Sequence, residues 1–524
     1  MRKWGPLVAI CLGTFMLLLD VTIVLVALPA MSDALGTDLS GLQWVIDGYA
    51  LALAAALLGA GMVADIKGRR PVYLVGLVLF AAASLACGLA SSTGMLIAAR
   101  IAQGLGAAAM FTATLSLLTA SYTGRARAVA LGVWGAVASG AAALGPVLGG
   151  LLTQGLSWRW IFFINLPIAA ATVLLTLRVI PDRPAAEPAA VPERRAMDVP
   201  GLLLFALAGT TLVYGLTQAH GSGWNSPQTL LPLGIFLAAA VVFVLVQRRS
   251  AHPMLDLALF RQPKFVTAVS AIFVGQVVAF GFQPYTSVWL QSLAGLSPLR
   301  AGLVIVPQAV AAVLVSALGG RVLTRVPLKA RMSVGLALIG LGALGQAVLH
   351  ASSGWTVLVP GLVISGLGVG LLTPASSALA MEAVDPRRSG MASGAYSTFQ
   401  QLGYALGVAV FGTLTAARMQ HELTGHVPDA HQAAAQLSAG TAGELTAHLS
   451  GAARATTDRL LHAAFASGLN ATAVLAAALA AATVVLIIAV RFRTPASPTR
   501  VARTATETEP RRPATQHAAN TPHP

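Results

Sequence analysis

Three ionisable side chains stand within or at the edge of long apolar stretches of this chain: Asp20, Asp47 and Arg100. An ionised carboxylate at the centre of a membrane helix costs about 2.5 to 3.5 kcal/mol on insertion scales, so Asp20 must be paired, protonated or turned toward water. Such a carboxyl can take a proton on one side of a membrane and release it on the other, and when ionised it attracts a cation. It can equally act as a hydrogen-bond acceptor between helices. Asp47 lies between Trp44 and Tyr49, aromatic residues that suit a membrane surface. It is either an outer proton acceptor or the solvated end of a helix. Arg100 requires a partner, which is a carboxylate such as Asp20 or Asp47, or a set of backbone carbonyls.

Two further groups of residues stand out by spacing. Asp65, Lys67, Gly68, Arg69 and Arg70 form a short charged turn between apolar stretches. A basic membrane-proximal surface accounts for Lys67 and Arg70 without further role. Gly140, Gly145, Pro146, Gly149 and Gly150 fall within one uncharged apolar stretch. Membrane helices tolerate Gly and Pro and use small residues to bring neighbouring backbones close. Later stretches carry Gln276, Gln283, Tyr285, Gln308, Tyr396, Gln400 and Gln401, suited either to line a cavity or to bond between helices.

The elements that position these residues follow from composition. Of the 524 residues 56% are hydrophobic and 10% charged, with mean hydropathy +0.76, whereas soluble domains are about 25% charged. This is an all-α membrane protein, and windows of about 20 residues place fourteen spans between residues 7 and 491. The net charge of +15 invites a nucleic-acid reading. Topology removes it. With the N-terminus inside, all of the 33 Lys and Arg face the cytoplasm except Arg100, Arg159, Arg300, Arg418, Arg454 and Arg459. Both termini are then cytoplasmic, and the host bilayer is the inner cell membrane. Cys11 and Cys87 sit in apolar spans and suggest neither a disulfide nor a metal pair.

The chain also repeats itself. A shift of 262 residues lays Gly104 and Gly106 on Gly366 and Gly368, Lys67 and Arg69 on Lys329 and Arg331, and Gly132, Gly145 and Gly150 on Gly394, Gly407 and Gly412. Two six-helix bundles in the same orientation, related by an axis along the membrane normal, would produce this pattern. The organisation read from it is a first bundle over 1–180, a linker over 181–197 and an inserted helix pair over 198–248. A connector over 249–264, a second bundle over 265–491 with an outer loop at 418–465, and a disordered tail over 492–524 complete it. Residues 430–464 suit surface helices over the outer mouth. His421, His426 and His431 recur every five residues, which does not gather them on one helix face. Pro146 and Gly149 have no counterpart, because the shift lands on Val408 and Phe411.

Several motifs, in order, resemble the fourteen-helix drug:proton antiporters of the major facilitator superfamily. They are Leu19-Asp20-Val-Thr22 through Pro29, Gly61 through Arg70, Ala99-Arg100-Ile-Ala-Gln103-Gly104-Leu-Gly106, Gly140 through Gly150, Trp158-Arg159-Trp160 through Asn165-Leu-Pro167, and Ser297-Pro298 through Gly302. One departure is Leu25, where the first-helix pattern usually has Asn. The resemblance implies that Asp65, Gly68, Arg69 and Arg70 gate the movement of the halves, and that Gly140 to Gly150 is the antiporter helix motif. It implies proton-coupled export of small amphipathic compounds by alternating access, with no cofactor, no nucleic acid and a functional monomer in membrane lipid.

A facilitator or symporter for one metabolite would need a more polar cavity. A membrane enzyme or sensor would need a catalytic cluster, and the sequence carries neither a phosphate-binding Gly-x4-Gly-Lys-Ser/Thr loop nor a His-Glu-x-x-His helix.

Overall fold

An apolar stretch in lipid has no water to satisfy its backbone, and a helix closes every interior amide bond within itself. The computed structural model, which describes residues 4–36, 39–181, 198–250, 253, 255–385, 389–440, 442–446 and 450–490, contains no strand among the described residues. The first half runs through α1 (Gly5–Leu35), α2 (Leu39–Lys67), α3 (Arg69–Gly88), α4 (Thr93–Ser121), α5 (Gly124–Gly155), α6 (Trp160–Phe163) and α7 (Asn165–Val179). The pair α8 (Val199–Ser222) and α9 (Pro227–Arg249) follows. The second half comprises α10 (Pro263–Phe280), α11 (Gln283–Val288), α12 (Pro298–Val322), α13 (Leu328–Leu344), α14 (Leu358–Glu382), α15 (Ser389–Leu423), α16 (Ala430–Ala439), α17 (Ala442–Thr446) and α18 (Gly451–Ala489).

Twelve segments of the described residues are long and apolar enough to cross a membrane. The two other expected spans coincide with α5 and with α13, whose 17 residues make about 25 Å of helix. The span expected over 158–180 is broken between α6 and α7, where Pro167 has no amide to offer the carbonyl of Phe163. That break puts Asn165 at the start of α7. A second break, at Gly281 and Phe282, precedes Pro284 and separates α10 from α11, which a π-helical turn over Trp289–Leu293 prolongs. The linker beyond residue 181 and the tail beyond 490 lie outside the described residues.

The packing repeats as the sequence does. In the first half α2 packs on α4, α1 on α5, α3 on α4, and α7 on α1 and α3; in the second half α12 packs on α14, α10 on α15, α13 on α14, and α18 on α10 and α13. Each half thus repeats the other's neighbour relations under the same shift. The halves meet along two seams, α2 against α15 and α5 against α12, which are themselves counterparts. The inserted α8 packs against both α2 and α15, so it lies along one seam and not the other. Trp224, in the turn of that pair, donates its indole N–H to Thr413 Oγ1 of α15 at 2.6 Å.

α18 has 39 residues, about 58 Å of helix against a hydrocarbon core of about 30 Å. It is therefore longer than one crossing needs, and its N-terminal part meets the short helices that precede it. There Leu461 and Phe465 join Leu423, Ala433 and Leu437 in a buried cluster with Trp289 and Leu290. The segment between α15 and α18 thus packs on the second half's own core.

Candidate functional site

Five helices of the first half converge on one carboxylate. Asp20, at mid-length of α1, has no exposed surface, and Arg100 of α4 is 2% exposed. Arg100 Nη1 donates to Asp20 Oδ2 at 2.6 Å. The other carboxylate oxygen accepts from Gln103 Nε2 and from Asn165 Nδ2, both at 2.9 Å. Ser84 Oγ of α3 accepts from the same two amides, at 2.6 and 3.1 Å. Gln103 Oε1 in turn accepts from Arg100 Nη1 at 2.7 Å. From α2, the Val45 carbonyl accepts from Arg100 Nε at 3.2 Å, and the ring of Tyr49 lies 4.2 Å from the guanidinium carbon.

Local sequence explains the convergence. Arg100 and Gln103 are three residues apart and so share one face of α4, while the break before α7 aims Asn165 at the same point. Gly104 lets α4 approach α2, since a methyl group there would stand 2.9 Å from Ala52 Cβ. The result is a buried ion pair with both carboxylate oxygens satisfied by donors. Breaking such a pair by removing one member costs about 3 to 5 kcal/mol, because the survivor stays charged in an apolar surrounding.

The second half lacks this arrangement. The 262-residue shift carries Asp20 to Phe282, Arg100 to Leu362, Ser84 to Gln346 and Gln103 to Ser365. Phe282 and Leu362 are both buried. The ion pair therefore occurs in one half, and apolar residues take its two positions in the other, where Gln346 and Ser365 keep the neutral polar positions.

A second site joins the halves. Asp65, near the end of α2, accepts from the backbone N–H of Gly390 through Oδ1 and of Met391 through Oδ2, each at 2.8 Å. The carboxylate thus caps the first turn of α15, where unpaired amides and the helix dipole both favour an anion. A methyl on Gly390 would stand 2.7 Å from the Gly61 carbonyl, so the two backbones touch. Gly68 turns α2 into α3 in one residue at φ +97°, a conformation that suits glycine. Arg69 opens α3, and Arg70 Nη2 donates to the Leu177 carbonyl at 3.1 Å. At the counterpart seam Pro327 takes the place of Asp65, and Thr123, which precedes α5, makes no side-chain bond to its first turn.

The glycine run lies in an unbroken α5. A methyl on Gly145 would overlap the side chain of Thr22, and one on Gly149 would stand 2.7 Å from the Ile23 carbonyl, so both set the approach of α5 to α1. Gly140 faces Val313 of α12, with ordinary contact at 3.4 Å. Gly150 is buried. In the second half Gly407 approaches Val277 of α10 and Gly281 just after it in the same manner. The side chains of Pro146 and Asp47 lie outside the described residues.

Of the polar residues named for a cavity, several bond between helices. Gln283 Nε2 donates to Gln308 Oε1 at 2.7 Å, and Gln308 Nε2 donates to Ser365 Oγ at 3.3 Å. Tyr285 donates its hydroxyl to the Val408 carbonyl at 2.9 Å, and Tyr396 shares a 2.9 Å bond with Ser376. Gln276, Gln400 and Gln401 are half-buried on α10 and α15. Sequence reasoning paired Arg100 with a carboxylate or with carbonyls, and the structure supplies both. It did not find Ser84, Tyr49, Gln103 or Asn165 as members of the cluster, although the last two stood inside quoted motifs.

The chain as a whole is similar to known proteins. The family model for the Major Facilitator Superfamily matches residues 10–408. The Multidrug resistance protein Stp of Mycobacterium tuberculosis is 38% identical over 428 residues, 81% of this chain and 78% of that one. The Tetracenomycin C resistance and export protein of Streptomyces glaucescens is 33% identical over 80% of this chain and 77% of its own. The Methylenomycin A resistance protein of Bacillus subtilis is 34% identical over 78% of this chain and 86% of its own. Among solved structures, the human organic anion transporter MFSD10 (TETRAN) superposes with a TM-score of 0.59 at 16% identity, covering 93% of this chain and all of its own. The proton:xylose symporter XylE superposes at 0.57 with 14% identity, covering 85% and 94%.

Proposed function

The chain belongs to the major facilitator superfamily, and we propose that it exports small lipophilic compounds, drugs and antibiotics among them, across the cytoplasmic membrane in exchange for protons. It is a multi-pass membrane transporter and not an enzyme. The direction and substrate class rest on relatives named for multidrug resistance, tetracenomycin C export and methylenomycin A resistance. The observation that supports proton exchange is the sealed Asp20–Arg100 pair. It is an ionisable centre in the first half, built from five helices that would shift relative to one another if the pair opened.

The cycle follows from the charges. With both termini cytoplasmic, the capped junction of α2 and α15 lies on the cytoplasmic side and holds that end of the seam shut. A proton arriving from outside neutralises Asp20 and removes the anion from Arg100. The first bundle relaxes, the cap of Asp65 on α15 lets go, and the halves rock so that the cavity faces the cytoplasm. Substrate enters, the proton leaves, and the pair re-forms. One proton entering contributes about 2.3 kcal/mol per 100 mV and about 1.4 kcal/mol per pH unit. Both bundles reside in one chain, so a monomer in lipid suffices, with no cofactor in the cycle.

The test is substrate-dependent proton release in inverted vesicles, screened over a panel of lipophilic antibiotics and cations. Exchange is expected for at least one compound and absent in Asp20→Asn protein that reaches the membrane in normal amount. Export that proceeds at full rate in that variant would refute the role given to Asp20.

A further inference from the structure

A proton on Asp20 leaves a second problem, which is the charge on Arg100. The guanidinium is 2% exposed and would remain in an apolar bundle with its anion gone. Among the described residues, three groups besides Asp20 touch it: the Val45 carbonyl, Gln103 Oε1 and the face of Tyr49. Tyr49 is the unusual member. It is 3% exposed, and among the described residues its hydroxyl has no hydrogen-bond partner. A buried tyrosine ordinarily finds a partner for that hydroxyl. The contact that Tyr49 makes at this centre is therefore through its ring.

We propose that Tyr49 is a positioning residue for proton exchange, its ring face holding Arg100 as a cation during the part of the cycle in which Asp20 is protonated. This rests on the exchange reading given above. The ring quadrupole attracts a cation over its face and repels an anion. While Asp20 is ionised the two effects oppose each other, because the ring meets a neutral pair. Once Asp20 is protonated, the attraction to Arg100 stands alone. The ring thus favours the protonated state of the pair, and removing it makes proton uptake harder.

Among the described residues, the ionisable groups of the neighbouring helices are engaged elsewhere or stand at helix ends. From α3 the nearest is Cys87, which donates to Gln103 Oε1 at 3.8 Å. α7 presents Asn165, which does not titrate, and the ionisable residues of α5, Arg125 and Arg127, lie in its first turn. Arg159, before α6, is engaged with the Ala90 carbonyl. The side chain of Asp47 lies outside the described residues.

The experiment titrates Asp20 in purified full-length protein in nanodiscs, using the infrared carbonyl band of a protonated carboxylic acid that Asp20→Asn abolishes. Wild type, Tyr49→Phe, Tyr49→Leu and Tyr49→Met are compared, with proton-driven transport measured against outer pH in the same set. Tyr49→Phe is expected to titrate as wild type. Leu and Met are expected to move both midpoints to lower pH by about one unit, a tenfold loss of proton affinity. Two aliphatic replacements guard against a single variant that fails to fold. Equal midpoints in all folded variants would overturn the role of the ring and leave the exchange reading intact. A wild-type protein with no titrating band would overturn both.

Discussion

Removing the cap that Asp65 places on α15 is expected to shift the balance between the two faces of the transporter. The carboxylate accepts two backbone amides across the seam, both at 2.8 Å. Replacing a capping Asp by Ala costs about 0.5 to 2 kcal/mol, and the charge near the helix N-terminus adds about 0.3 to 1 kcal/mol. A net loss of about 1 to 2 kcal/mol changes a two-state ratio by roughly 5- to 30-fold. Asp65→Asn keeps one acceptor oxygen and is expected to fall between wild type and Asp65→Ala. Spin labels at Lys67→Cys and Asp385→Cys report the distance across the junction, and burial keeps Cys11 and Cys87 from labelling. The long-distance population should grow in the order wild type, Asn, Ala. Gly390→Ala, which crowds Asp65 and the Gly61 carbonyl, should open the junction by a steric route. Identical distance distributions in all variants would refute the argument that this cap holds the seam.

Three further outcomes are expected. Asp20→Leu leaves Arg100 buried without its anion and should lower stability by about 3 to 5 kcal/mol; Asp20→Leu with Arg100→Leu should recover most of it, as judged by thermal unfolding in detergent. Asn165→Leu removes one of three donors to the Asp20 carboxylate. Donors to the charged form oppose protonation, so the pH midpoint of transport should move to higher pH, opposite in sign to the aliphatic variants at Tyr49. Gly145→Ala forces a methyl onto Thr22 and should cost about 1 to 3 kcal/mol, whereas Gly140→Ala, with Val313 at contact distance, should leave the melting temperature within error of wild type.

The sequence made the helices and the internal repeat legible because both rest on periodic properties: apolar length, basic loops and glycines recurring at one shift. It also singled out Asp20 and Arg100, since a charge in an apolar window is conspicuous. Its silence about Ser84 and Asn165, and its reading of Tyr49 as a surface aromatic where the structure buries it against Arg100, have a physical cause. Neutral polar residues are common in membrane helices, and whether one joins a cluster depends on helix rotation and on breaks such as the one before Asn165. The destination of Asp65 was equally hidden. A cap offered to backbone amides leaves no mark on side-chain identity, and the amides lie more than 300 residues along the chain.

The apolar counterpart of the ion pair has an evolutionary consequence. If the halves descend from one duplicated ancestor, then Phe282 and Leu362 show a copy in which no charge must be accommodated. Such a copy can accept drift in the residues around those positions at the modest expense of repacking, while the first half is held by every donor that Asp20 requires. If export is powered at Asp20 as proposed, divergence in what is carried can proceed in the second half without disturbing that step. A lineage of exporters facing new toxins would be expected to accumulate its changes in the second half first.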